Sequence, residues 1–481
     1  MPAALPALHK TSFVLDPRPL SGCASPRAGL LSVSRTLRSL HLPGWIEANV
    51  SSKQRDRGLS EAQDIESILL SLVGGGAGYS DLAVLAADPV LAKGLGYPPA
   101  QPDAARRFVE AFHDPDGDKS RPPREQQKTF FPVPTAPLVG LGTAQTGLVH
   151  QIARVDGEQQ RALTRATLAA DAPLIFCEKR EALPTYEGPR GDQPVLVLWA
   201  EADLVVADEF REGNVPARQS PLPCVRAGFA ALPATVTERF FRGDSACPEN
   251  EWRGWLAHPD RASEPGGAIG FAVRAVQTEP LAAALRAVPE PQWQSFGTES
   301  DGTVRQCADV DFVPGLPSEH KAAQPLRYVG RRLVKAQGEL FADGRRTHDH
   351  AVITNRELPG AELRQWQRQK AGTIEHVHDE VQNDLGGARL PSGKFGTNAA
   401  WLRLVTLAYN VIRAQRALAL GAELGTARLQ RLRLWVYDVS GRMSHTGNTL
   451  RLRLHASVEA MHRLERVWEV FALPTQATYS G

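Results

Sequence analysis

Three carboxylates in separate contexts suggest a chemistry: Asp171 in RATLAADAP, Asp244 in ERFFRGDSA and Glu375 in AGTIEHVHDEVQNDLGG. Asp171 follows a strand-like run, Asp244 closes another, and Glu375 lies one turn into a helix. That order is how a chain gathers distant carboxylates at one point, beside two divalent cations. Cutting or joining a phosphodiester needs an activated attacking oxygen and a stabilised leaving oxygen, and two Mg²⁺ ions about 3.5–4 Å apart serve both. Such hard cations take carboxylate oxygens, and Mn²⁺ substitutes for Mg²⁺. Asp171 is expected to bridge both ions, Asp244 to bind one and Glu375 the other. His378 and Gln382 follow Glu375 on the same helix face and are candidate contacts to DNA at the scissile phosphate.

Taken singly, each acid has a plain explanation. An Asp after a strand is usually a turn or cap residue, and a Glu near a helix start is favoured by the helix dipole alone. Only the three together, in order and each in its element, carry the metal-carboxylate reading. The runs HVHDE and THDH invite a zinc reading instead. His376 and His378 are two apart on a helix and face different sides, so no zinc site is expected.

The elements that must position these residues follow from periodicity. Residues 1–28 are Pro-rich and read as irregular. Residues 29–126 read as a helical, candidate DNA-binding domain. Within it Ser60 and Gln63 form a capping box, Ile65, Ile68, Leu69 and Leu72 give one apolar face, and Gly74–Gly76 stop the helix. Further helices are expected within 79–96 and 103–114, and the charged, turn-rich run 114–127 reads as a linker. Beyond it the character becomes β. Runs 193–200 and 203–210 form a hairpin about Glu201–Ala202, followed by a helix over 218–232 and a strand over 235–243. ENEWRGWLAH is helical in pattern, and 268–276 is a strand.

The fold class that follows is α/β, a ribonuclease-H-like catalytic core preceded by the helical N-terminal domain. Its first part spans 127–276, a β-rich insertion occupies 277–360, and 361–481 carries the Glu375 helix and a C-terminal helical part. That helix is expected to start at Thr373 as N-cap and to run to Gly386–Gly387. Helices are expected again over 398–422 and 452–470, with LRLWVYDVSG between them strand-like.

A chain of 481 residues has room for about three domains of ~150 residues. Its formal charge is +2, so sign must be read locally. Cys23, Cys177, Cys224, Cys247 and Cys307 are scattered and form no CxxC pair, which suits a reducing compartment. No secretory leader and no run of about 18 apolar residues is found, so a cytoplasmic protein with no membrane span is expected. Two stretches are basic. Residues 321–346 hold Lys321, Arg327, Arg331, Arg332, Lys335, Arg345 and Arg346 against Glu339 and Asp343. The six from Arg327 onward are candidate contacts to DNA phosphates. Residues 426–466 hold eight arginines against three acids and read as core as much as interface.

Longer segments carry a resemblance: KREALPTYEGPRG, QPVLVLWAEADLVVADEFREGNVPA, RGDSA, AGTIEHVHDEVQNDLGGARLPSGKFGTNAAW and RGLSEAQDIESILLSLVGGGAGYSDLAVLAADP. Over roughly residues 28–470 the chain resembles the DDE transposases of bacterial insertion sequences, most closely the thirteen-eighty insertion-sequence family. The resemblance implies cut-and-paste DNA transposition, Mg²⁺ dependence, and binding to terminal inverted repeats. It places the catalytic triad on Asp171, Asp244 and Glu375. Joining two element ends implies a homodimer in a synaptic complex on double-stranded DNA, within a bacterial nucleoid.

The chain departs from that family at several positions. Asp-x-Asp-Ala-Thr is usual where Ala169, Ala170, Asp171, Ala172 and Pro173 stand here, and Gln382 replaces a lysine. The departures keep open an alternative: a transposase-derived protein that binds DNA and has lost efficient cleavage.

Overall fold

The structure, a computed structural model, describes residues 23–53, 57–159, 163–219, 221–243, 254–258, 261, 267–313, 326–447 and 449–473. The run expected as irregular holds a strand near its end: β1 (Cys23–Ser25) leads through a helical turn into α1 (Leu31–Ser39) and α2 (Leu42–Asn49). Ser60 caps α3 (Glu61–Val73) by accepting from Gln63 N at 3.3 Å, while Gln63 Oε1 accepts from Ser60 N at 2.9 Å. That is the reciprocal capping box the sequence predicts, and Ile65, Ile68, Leu69 and Leu72 are buried. The run 79–96 divides into α4 (Leu82–Ala86) and α5 (Pro89–Leu95), because Asp88 caps the amides of Val90 and Leu91 and Pro89 starts a new helix. α6 (Pro102–Glu110) follows.

The expected linker is docked. Arg121 pairs with Asp118 at 3.0 Å and with the buried Glu212, and its guanidinium lies 4.4 Å above Phe130. The next element corrects the expectation of strands, for α7 (Ala136–Glu158) is a long helix. Glycines dilute its helical signal, but packing requires them. A Cβ on Gly140 would lie 1.9 Å from Asn49 O, and one on Gly147 would lie 2.3 Å from the Trp45 ring, both on α2.

The strands build one large sheet. β2 (Arg165–Asp171) is followed by β3 (Ile175–Phe176), β4 (Leu183–Pro184) and β5 (Arg190–Asp192), a small separate sheet. β6 (Val195–Trp199) and β7 (Leu204–Glu209) form the hairpin about Glu201–Ala202. α8 (Leu222–Ala230), β8 (Glu238–Gly243) and β9 (Ile269–Arg274) fall within the expected segments. β2 is antiparallel to β6 but parallel to β8, and β8 is parallel to β9. Asp171 and Gly243 therefore end neighbouring strands at the same side of the sheet. The run expected as an insertion comprises α9 (Glu279–Ala287), β10 (Gln294–Thr298), β11 (Val304–Val310), β12 (Arg327–Val334) and β13 (Thr347–Thr354). Rather than standing apart, its strands extend the same sheet, since β13 pairs with β9. The full order is β10-β11-β12-β13-β9-β8-β2-β6-β7.

α10 (Gly360–Asp379) begins behind Pro359, well before the expected start at Thr373. Thr373 lies inside the helix, its hydroxyl donating to Gln369 O at 3.2 Å and Lys370 O at 3.1 Å. The preceding residues AELRQWQRQK are mostly good helix formers, so nothing halts the helix there. α10 crosses the sheet in contact with β10, β11, β9, β8 and β2. It then widens into a π-turn over Glu380–Asp384, with Leu385 N donating to Glu380 O at 2.9 Å.

α11 (Phe395–Leu418) is buried along most of its length. Its Asn410 donates to Val205 O at 2.8 Å and accepts from Val205 N at 2.9 Å, closing the β7 edge of the sheet. LRLWVYDVSG is not the expected strand. It makes helical turns through Tyr437, whose hydroxyl donates to Gln415 at 2.6 Å. β14 (Ser440–Thr446) pairs with β1 and with β15 (Thr449–His455). The helix expected over 452–470 is thus strand at first, then α12 (Val458–Val470), capped by Ser457. One apolar core runs from Ala28 to Phe471, and among the described residues no helix is long and apolar enough to cross a membrane.

Candidate active site

Asp171, at the end of β2, and Glu375, on α10, line one cleft of about 380 Å³. β8 arrives beside it: Gly243 O accepts from Gln367 Nε2 at 3.3 Å, and Gln367 also lines the cleft. Asp244, the next residue, lies outside the described residues. Glu375 is exposed at the cleft and Asp171 half-buried. Around Asp171, Lys370 Nζ stands 3.7 Å from Oδ1 and His378 Nδ1 3.7 Å from Oδ2, both beyond hydrogen-bond range. Burial lowers the His378 pKa and Lys370 pushes the same way, while Asp171 opposes them. The imidazole is therefore neutral near pH 7, and Lys370 is the cation that faces the Asp171 charge.

The turn after Asp171 is braced from two sides. Gln193 Nε2 donates to Ala172 O at 3.2 Å, and Gln382 Nε2 donates to Leu174 O at 3.2 Å. Gln382 thus spends its amide on this turn, around Pro173. His376 points elsewhere, 3.9 Å from Glu380.

A divalent ion that keeps several waters needs only one or two protein carboxylates. Asp171 and Glu375, opening on one cleft, fit that requirement. Among the described residues no three His, Cys, Asp or Glu groups converge as a ligand set.

Within the basic run, the neighbours Arg331 and Arg332 point to opposite faces of β12. Arg331 lines the cleft. Arg332, next to it, pairs with Asp349 at 3.1 Å and Glu290 at 2.9 Å and lies 4.0 Å over Trp293. Arg327 is held by Asp309 at 2.6 Å, and Lys335 by Asp301 at 2.6 Å. Arg345 and Arg346 are exposed on the turn before β13, with Arg345 3.7 Å from Asp343.

Sequence reasoning missed most of the cleft's cations: Arg274, Arg305, Arg364, Arg368 and Lys370 also line it. A usable signal existed. Arg364, Arg368 and Glu375 fall on one face of a single helix, once that helix is seen to start at Gly360.

The model of a protein family described as transposase DDE domain group 1 matches residues 24–474. A solved cryo-EM structure, described as the piggyBac transposase synaptic complex with hairpin DNA, is similar at 11% identity and a TM-score of 0.41. That likeness covers 94% of this chain and 83% of that one. No curated protein matches.

Proposed function

Since the chain belongs to the transposase DDE domain group 1 family, we propose that it cuts DNA at the terminal inverted repeats of its own element and joins the freed ends to target DNA. The observation that carries this reading is the meeting of Asp171 and Glu375, distant in sequence, on one cation-lined cleft. The strand order β7-β6-β2-β8-β9, three antiparallel strands continued by two parallel ones, supports a ribonuclease-H-like core. The sequence resemblance supports the thirteen-eighty insertion-sequence family as the branch.

Asp171, Asp244 and Glu375 would hold two Mg²⁺ ions, or Mn²⁺ in their place. When bound, such ions activate an attacking oxygen and stabilise the leaving one. The chain's own groups do the rest. Lys370 and the cleft arginines draw the DNA backbone in, neutral His378 crowds one side of Asp171, and Gln193 and Gln382 hold the turn that aims it. Two ends must be brought together, so the working form is a homodimer in a synaptic complex at the nucleoid.

The test uses a labelled duplex carrying the terminal repeat, with Mg²⁺, Mn²⁺ or EDTA. Metal-dependent cuts at the repeat boundary are expected. Asp171→Asn, Asp244→Asn and Glu375→Gln should each abolish cutting and leave binding intact. Cutting that survives EDTA, or survives these substitutions, would overturn the reading. Binding without any cutting would identify a DNA-recognising protein that has lost efficient cleavage.

A further inference from the structure

The cleft holds more buried positive charge than its carboxylates explain. Arg364 is 8% exposed, lines the cleft, and has an Nε without a hydrogen-bond partner. Arg331 and Arg274 are close enough that their charges join burial in lowering its pKa to about 10. Arg274 turns its guanidinium to the His350 ring at 3.1 Å rather than to an acid. Among the described residues none of the three arginines forms an ion pair. The acid whose charge reaches Arg331 is Glu299, which Arg368 engages at 3.5 Å.

Arginine cannot shed its proton to relieve such crowding. A fold that keeps three like charges together, one of them buried, is complete only when an anion arrives. The planar guanidinium suits phosphate oxygens, which it can grip with two parallel bonds.

Position narrows the ligand further. Arg364 and Glu375 share α10, eleven residues apart on one face, so they are separated by ~16 Å at 1.5 Å per residue. A separation of that size places the seat beyond the phosphate held at the carboxylates. We propose that Arg274, Arg331 and Arg364 form a seat for one backbone phosphate set apart from the bond that is cut. The seat rests on the transposase reading and adds to it a fixed grip at a distance from the carboxylates.

The experiment walks a single methylphosphonate, which removes one phosphate charge, along each strand of a terminal-repeat duplex. Binding is measured against wild-type protein, Arg364→Gln and Arg331→Gln at several salt concentrations. Wild-type protein should lose affinity most at one position, displaced from the cut. Either variant should lose sensitivity at that position alone, and its slope of log K against log salt should shrink by about one. Losses from variant and neutral phosphate that simply multiply at that position, or sensitivity spread evenly along the strand, would overturn the proposal.

Stability supplies a second readout. A seat that holds unpaired charge predicts that Arg364→Met raises the melting temperature while DNA binding weakens, and a purely structural arginine would do the reverse. Should wild-type protein bind no duplex at all, the transposase reading falls and the seat with it. Binding without a privileged phosphate removes the seat alone.

Discussion

Glu380 and Arg416 clasp each other with both side chains shut off from solvent, a little over one turn beyond Glu375. Arg416 Nη1 lies 2.7 Å from Glu380 Oε2, the second guanidinium nitrogen meets Oε1, and Leu429 N donates to Oε1 at 3.0 Å. The pair fastens the π-turn at the end of α10 to α11, and so fixes how the Glu375 helix leaves the cleft. Breaking a buried pair strands a charge, which costs about 3–5 kcal/mol. Glu380→Gln and Arg416→Met should each lower unfolding free energy by that order in urea titrations. The double variant should recover part of the loss. A single variant within ~1 kcal/mol of wild type would show that the turn is held by something else.

Glycines in α7 offer a comparison of propensity against packing. Alanine gains ~1 kcal/mol over glycine in a helix, while forcing a side chain into a filled space costs about 1–3 kcal/mol. Gly140 abuts Asn49 O, whereas a Cβ on Gly157 meets nothing within 4 Å. Gly140→Ala should therefore destabilise by up to about 2 kcal/mol, and Gly157→Ala should be neutral or slightly stabilising. Thermal melts of the two variants decide it, and equal effects would contradict the close approach of α2.

The His350 imidazole is driven down to about 4, first by burial and then by the charges of Arg274 and Arg331. The native state thus resists a proton that the unfolded chain takes up near pH 6.5. Its contribution is fully present above pH 6.5 and is lost as pH falls toward 4. Stability should decline by roughly 3 kcal/mol or less over that window, and His350→Gln should flatten the decline. Urea midpoints at pH 7, 6, 5 and 4 make the comparison; parallel curves for the two proteins would refute it.

Divalent ions should stabilise the fold if Asp171 and Glu375 share a site. Saturation at ~100 times the dissociation constant adds about 2.7 kcal/mol. Mg²⁺ and Mn²⁺ should raise the melting temperature of wild-type protein, and chelation should reverse the rise. Asp171→Asn combined with Glu375→Gln should abolish the effect. A shift that persists in the double variant would place the ions elsewhere.

Local chemistry was readable because local rules decide it. The Ser60–Gln63 box, the Glu201–Ala202 hairpin and the apolar face of α3 depend on neighbours in sequence, and the structure has all three. α7 was not readable, because Gly140 and Gly147 weaken its pattern for the sake of contacts with α2. The cleft was half readable. Asp171 and Glu375 announced themselves as acids after a strand and on a helix, but Arg274 and Arg364 looked like ordinary surface charge. Their meeting depends on β13 pairing with β9, a long-range choice that no sequence window contains. The basic run 321–346 shows the reverse dependence. The charges of Arg327, Arg332 and Lys335 are answered by Asp309, Asp349, Glu290 and Asp301, and only folding brings those acids near.

The pairing of β1 with β14 has a consequence in time. At ~5–20 residues per second on a ribosome, Asp171 emerges ~10–40 s before Glu375, and the first strand waits longer still for its neighbour. For most of that interval the nascent chain holds Asp171 without α10, and so without Glu375 and the arginines that flank it. The closing of β1 on β14 and the arrival of Glu375 beside Asp171 are therefore both late events in the folding of a nascent chain.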